Sequence, residues 1–494
     1  MRAPLHNIPT DPHPDRDSLK HKLQDKIAES RFFAISLCLH LILVLLAGTY
    51  AIYRVIEDKD FTPANIGEID VPASDQPIDV TERPPERSPK DTVMPPPPPA
   101  TNPALDMVTV RNASAPFSVP RPTIPLITRT PALDVNELLP KAGIFVGLTN
   151  VPISMQTRFK GRVGRMAEAE KIGMKPKSED AVVKGLEWLR LNQSADGTWG
   201  ERNKGAMTGL ALLCFLGHGE TPGSEQYGVT INRAVDWFIE NGTKSEGRLS
   251  MENSISQQGA YEHGIATYAL GEYYTITNDQ RVLELYTKAV EYIVNGQGPG
   301  GGWAYGYSKT GNDLSLSGWQ IQALKAAYLT RLKLPGVDAA LDRAILYLEN
   351  DQGPKGGYGY GGPEDRYSLT GVGILSRLFW NGDKAKLKKG MTWLLDETAN
   401  KPVKYKGPHA DLYAWYYHTQ ACLMFGDPAW TRWNHWFQDE LVAAQNADGS
   451  WPFPGATGVG PQGEDTKTGA VYRTALCILM LEAYYRYSPI NKGG

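Results

Sequence analysis

Residues 184–199 read Lys-Gly-Leu-Glu-Trp-Leu-Arg-Leu-Asn-Gln-Ser-Ala-Asp-Gly-Thr-Trp. Val182, Leu186 and Leu189 fall at i, i+4 and i+7, which predicts one apolar stripe on a helix. Gln193 follows its last turn. Ser194-Ala195-Asp196-Gly197 then breaks the helix, and Trp199 lands just past the break. An amide at the helix end and an indole a few residues on are expected to stack and hydrogen-bond across that corner. The plan returns at Lys288–Trp303 and at Arg343–Tyr358, and in part at Gln445–Trp451. A unit repeated about every fifty residues predicts a repeat architecture.

The basic residue, small residue, aromatic, Gln, Gly and Trp of these units resemble the QW motif of squalene–hopene cyclases and their relatives. The motif positions are Gln193 and Trp199, Gln297 and Trp303, Gln352 and Tyr358, and Gln445 and Trp451. The resemblance covers roughly 178–489 and extends to bacterial prenyltransferase/squalene-oxidase repeat proteins. It implies an α/α toroid, and it speaks to fold far more than to chemistry.

The chain has 494 residues and a net charge of −3, so no global electrostatic case exists for nucleic acid. Cys38, Cys214, Cys422 and Cys477 sit in apolar runs without a CxxC pair, as expected of buried thiols rather than a disulfide framework. No cofactor is expected.

Residues 1–31 read as a polar cytoplasmic tail. Residues 32–53 contain no Asp, Glu, Lys or Arg until Arg54, a length that can span a bilayer. Basic residues concentrate before this run, so the N-terminus is expected in the cytoplasm and the remainder outside, in the periplasm of a diderm bacterium. A cleaved signal peptide is the alternative. Ser36 and His40 share one face of this helix. They resemble the SxxxH element of TonB-type energy transducers, which implies docking on an ExbB–ExbD-like motor. Residues 54–140 are proline-rich, with Pro95 to Pro99 consecutive, and predict a disordered, extended tether. At full stretch it would reach on the order of 250 Å. An inert spacer is the plainer reading. The small domain that ends TonB is missing, and a toroid stands in its place.

Residues 141–177 read as an N-terminal extension of the toroid, with a short strand at 143–148. The basic run after it contains Arg158, Lys160, Arg162 and Arg165 and reads as a solvated face, or one lying on an acidic rim or lipid headgroups. From 178 to 489, six hairpins are expected. Each has an amphipathic outer helix, a Gly-rich turn and an inner helix apolar nearly all round. The expected fold is therefore all-α: an α6/α6 toroid closed on itself, with a funnel-like cavity, preceded by one transmembrane helix and a disordered linker.

The chemistry of the resembling families lacks its residues here. There is no DxDD, DDxxD, Asp-x-Cys or Cys-Gly-Glu-Gln in the toroid. What recurs is an aspartate before the inner helices: Asp313, Asp365, Asp411 and Asp465. Glu262, His263, Glu364, Arg366, His409, Glu464 and Lys467 lie near equivalent points. Each aspartate reads as an N-cap, or as part of a polar mouth that grips a ligand or does acid–base work on a glycan. Asp313, Asp365, Asp411, Asp465, Glu464 and His263 are the catalytic candidates. Trp319, Tyr416, Tyr417, Tyr472, Arg473 and Arg366 are the candidates for contacting a hydrophobic, peptide or glycan ligand. His418 and Cys422 share a helix face, but two ligands do not make a metal site. The sequence therefore predicts a membrane-tethered binding or transducing toroid, with a diverged cyclase-, prenyltransferase- or carbohydrate-active enzyme as the alternative.

Overall fold

A computed structural model describes residues 151–250, 257–380, 382–456 and 460–486. The expected span 32–53 with Ser36 and His40, the tether, and the strand at 143–148 lie outside these residues. Among the described residues no helix is long and apolar enough to cross a membrane.

The chain enters through a 3-10 turn, Ile153–Phe159, and a helix, α1 (Gly161–Lys171). Six outer helices follow in alternation with six inner ones. The outer set is α2 (Pro176–Leu191), α4 (Gly228–Lys244), α6 (Leu283–Gly296), α8 (Val337–Asn350), α10 (Lys384–Asn400) and α12 (Ala429–Ala444). The inner set is α3 (Lys204–His218), α5 (Gln257–Thr277), α7 (Leu314–Leu329), α9 (Tyr367–Phe379), α11 (Leu412–Phe425) and α13 (Lys467–Leu481).

The side-chain pattern explains the two layers. Helix α4 buries Ile231, Ala234, Val235 and Phe238, one stripe at helical spacing widened by Thr230 and Trp237, and exposes Arg233, Asp236, Glu240 and Lys244 on the other side. Helix α3 buries every residue from Gly205 to His218. A helix with no polar face has no place but the inside of a ring. Helices α3, α5, α7, α9, α11 and α13 pack each on the next, and α13 packs back on α3, so the ring is closed.

The corners work differently from the expectation. Gln and Trp do not bond to each other. The Trp199 indole N–H donates back to the Leu189 carbonyl at 2.8 Å, and Trp303 and Trp451 do the same to Ile293 and Leu441. The glutamine amide instead reaches forward. Gln193 donates to Gly197 in its own turn and to Thr230 of α4, both at 2.9 Å. Gln297 donates to Gly301 and to Ala340 of α8. Gln445 donates to Gly449 and to Ala181 of α2, which ties the last outer helix to the first. Tyr358, lacking an indole N–H, accepts from Arg377 at 3.2 Å, and Gln352 reaches its own Gly356. Gly449 has φ +92, and a Cβ there would run into the Lys184 carbonyl, so the turn can press on α2 only with glycine.

One further expectation is corrected. The basic run is not wholly a solvated face, because Arg158 and Arg165 are buried beneath the ring. Their guanidiniums find carboxylates there, at Glu272 and Glu179. The last inner helix stops at Leu481, and a separate short helix, α14 (Ala483–Arg486), turns Arg486 into the same buried cluster.

Candidate functional site

The N-termini of the inner helices form one mouth of the ring. Two of the four aspartates cap helices there. Asp313 accepts from the Leu316 N–H at 3.1 Å, and Asp411 from the Ala414 N–H at 3.0 Å. Such caps contribute about 1 kcal/mol each. The other two do not. Asp365 accepts from the N–H groups of Lys355 and Gly357 and closes that turn, while its helix begins at Tyr367, with Arg366 before it and no side-chain cap. Asp465 is exposed, and Thr466 caps α13 in its place.

Tyrosines that the sequence reading missed surround the two capping aspartates. The Tyr305 hydroxyl donates to Asp313 at 2.7 Å, and Ser315 also donates to it. Ser315 Oγ lies 2.5 Å from the Tyr261 hydroxyl, and Tyr413 donates to the Ser315 carbonyl at 2.8 Å. Tyr305 and Tyr360 stay 37% and 45% exposed. The Arg366 guanidinium stands 5.2 Å over the Tyr360 ring and is held by Glu364 at 2.6 Å. Burial raises the Tyr360 phenol, and the charges of Asp313 and Asp411 add to this. Asp411 is half-buried. Burial lifts its carboxyl to about 6, against the pull of two backbone N–H groups.

The remaining catalytic candidates are structural. His263 accepts from the Leu249 N–H at Nδ1 (3.0 Å) and meets the Ala289 carbonyl at Nε2 (3.0 Å), so both ring nitrogens are occupied. Burial holds its imidazole down at about 4. Glu464 pairs with Arg202 at 2.6 Å on the rim. Glu262 accepts from the Gly205 N–H and Ser250. Lys467 donates to Ser194, and His409 is exposed.

The expected funnel is filled at mid-depth. Trp319 stacks on Tyr416 at 5.3 Å and meets Tyr417 edge-on at 5.6 Å. Gln322 locks both phenols, donating to Tyr417 at 2.9 Å and accepting from Tyr416 at 3.1 Å. These residues and Tyr472 are core rather than cavity lining. Aromatic burial this dense is worth more than an open lumen in the absence of a ligand. Arg473 donates to the carbonyls of Trp451, Gln462 and Glu464 and fixes the loop before α13. His418 Nε2 donates to the Tyr367 carbonyl at 2.9 Å, and Cys422 lies against Met391. Among the described residues no three His, Cys, Asp or Glu side chains are grouped to hold a metal.

At the opposite end the inner helices finish over a buried ionic floor, also missed from the sequence. Arg158 binds Glu272 at 2.8 Å, and Arg486 reaches the same carboxylate at 3.3 Å. Arg165 binds Glu179 at 2.6 Å, and His218 sits between Glu179 and Glu220. Burial alone would raise Glu179, but Arg165 and His218 hold it well below the usual carboxylate range. Burial pushes Glu482 far above it.

No family model matches the chain, and no curated protein matches it by sequence. Solved structures are similar at low identity. The chain is similar to an α-1,6-mannanase of Salegentibacter sp. HEL1_6 at 13% identity, covering 63% of this chain and 99% of that one, TM-score 0.45. It is similar to the type II terpene cyclase MstE from Scytonema at 13%, covering 65% and 99%, TM-score 0.45. It is also similar to the unsaturated glucuronyl hydrolase from Streptococcus agalactiae at 15%, covering 69% and 98%, TM-score 0.47.

Proposed function

We propose that the toroid is a diverged enzyme that binds a glycan across its mouth, with Asp411 as proton donor and Asp313 as the second carboxylate. One observation carries this reading: burial lifts the Asp411 carboxyl to about 6, and the charges of Asp411 and Asp313 both act on the exposed Tyr360 phenol. A carboxyl that titrates near neutrality is suited to general acid–base work. Exposed tyrosine faces give a sugar ring something to stack on. An isoprenoid substrate is disfavoured, because a long apolar chain needs the depth that Trp319, Tyr416 and Tyr417 fill. The test is a panel of oligosaccharides screened for binding and for chain cleavage with the intact protein. Tyr360→Ala should weaken binding on the order of tenfold. Asp411→Asn should keep binding and lose cleavage. A wild type that binds no member of the panel overturns the proposal.

A second reading concerns the N-terminal part. We infer that residues 32–53 anchor the protein in the inner membrane, with the toroid outside and 54–140 as leash, and that Ser36 and His40 contact an ExbB–ExbD-like motor. The uncharged run and the ionisable side chain within it support this. Motor subunits should co-purify with the intact protein from membranes and be lost on His40→Ala. Their absence from the wild-type preparation removes the coupling.

A further inference from the structure

We propose that residues 151–171 form a strap that peels from the floor of the ring in one step when the chain is drawn from its N-terminal side, uncovering buried carboxylates, and that the turn at 172–175 stops the peeling. The proposal depends on neither the glycan reading nor the motor reading.

The strap is the 3-10 turn Ile153–Phe159 followed by α1, and it packs on α14. Its sequence gives it little apolar hold. Of the side chains from 153 to 171 only Met155, Thr157, Arg158, Arg165 and Ala169 are buried, while Ile153 and Val163 stand in solvent. Two arginines supply the hold instead. The Arg158 guanidinium donates to the Glu272 carboxylate at 2.8 Å, to the Arg486 carbonyl at 2.7 Å and to the Leu216 carbonyl at 3.3 Å. Arg165 donates to Glu179 at 2.6 Å and to the His218 carbonyl at 2.9 Å, with its guanidinium 5.0 Å from the Tyr485 ring. Such bonds weaken steeply once distance and angle are lost. A segment with few buried apolar contacts opens before the core it rests on. The seam of the ring does not run through the strap: α13 packs on α3, and Gln445 bonds to Ala181 of α2.

The next residues are fastened differently. From α12, the Trp430 indole N–H donates to the Ile172 carbonyl at 2.7 Å, and Asn434 and Gln438 donate to the Gly173 carbonyl at 3.1 and 2.9 Å. The Lys175 N–H donates back to Gln438 at 2.6 Å, and so does the Ser178 hydroxyl, in the first turn of α2, at 2.7 Å. Load that passes the strap therefore meets two outer helices of the ring at this turn.

Withdrawal of the strap takes two guanidiniums from the floor. Of the cations paired with Glu179, Glu220 and Glu272 among the described residues, Arg486 and His218 remain. Tension at the N-terminal entry is thereby converted into negative charge at the floor.

The experiment pulls the full chain by optical tweezers, with one handle on an N-terminal tag and the other on Val229→Cys, an exposed position of α4, in a Cys38→Ser background. Cys214, Cys422 and Cys477 are buried and take no handle. One step should precede rupture of the ring and reverse on relaxation, lengthening the chain by up to about 70 Å at ~3.3–3.6 Å per residue freed. Arg165→Gln should speed opening of the strap on the order of tenfold at a given force and leave the rupture force of the ring unchanged. Arg162→Gln, whose pair with Asp180 lies near the surface, should change neither. Gln438→Ala should lengthen the step by letting α2 begin to unwind. Rupture of strap and ring together, equal opening in wild type and Arg165→Gln, an equal effect of Arg162→Gln, or a step of unchanged length in Gln438→Ala overturns the proposal.

Discussion

Asp411 and Asp313 begin their helices in the same way, yet their surroundings differ. Hydroxyls of Tyr305 and Ser315 donate to Asp313, whereas backbone N–H groups support Asp411. The difference has a measurable consequence for stability. In the unfolded chain Asp411 titrates near 3.8, and in the fold at about 6. Between these values the folded state holds a proton that the unfolded state has released. The contribution to stability is therefore full below about pH 4 and is lost as pH rises through about 6. Its size is on the order of 2 kcal/mol, allowing for the partial exposure of the side chain. Asp411→Asn keeps the cap without the titration. Urea midpoints measured from pH 4 to pH 7 should fall less steeply in the variant than in the wild type, and parallel curves would count against the assignment. Neither tyrosines nor a raised acidity could be read from the sequence, because Asp before a helix looks the same whatever packs around it.

At the scale of the element, the corner between outer and inner helix is the unit of construction. The residues of that corner were legible: Gln193, Gln297 and Gln445 stand where the repeat puts them. Their partners were not, because Gln445 and Ala181 lie 264 positions apart and only closure brings them together. The difference between corners is testable. Gln445→Ala removes a bond between two outer helices and should cost about 1–2 kcal/mol by urea denaturation. Gln352→Ala loses a bond within its own turn and should cost less than half as much. Equal losses would mean that the forward bond contributes nothing to holding neighbouring helices together.

For the whole molecule, the six hairpins and their inside–outside order followed from hydrophobic patterning alone. The filled lumen did not follow, because an inner-facing aromatic reads identically whether it lines a cavity or plugs it. The ionic floor was hidden for another reason: its members run from Arg158 to Arg486, and no local pattern announces that they meet. The closing bond from Gln445 to α2 carries one more implication. A stack of repeats with two free ends can lengthen or shorten by whole units, as solenoids do. A hoop cannot, since a seventh pair would force every existing seam to a new angle. Growth of such a chain is thus channelled into its rims, the turn at 401–411 among them, while the count of staves stays at six.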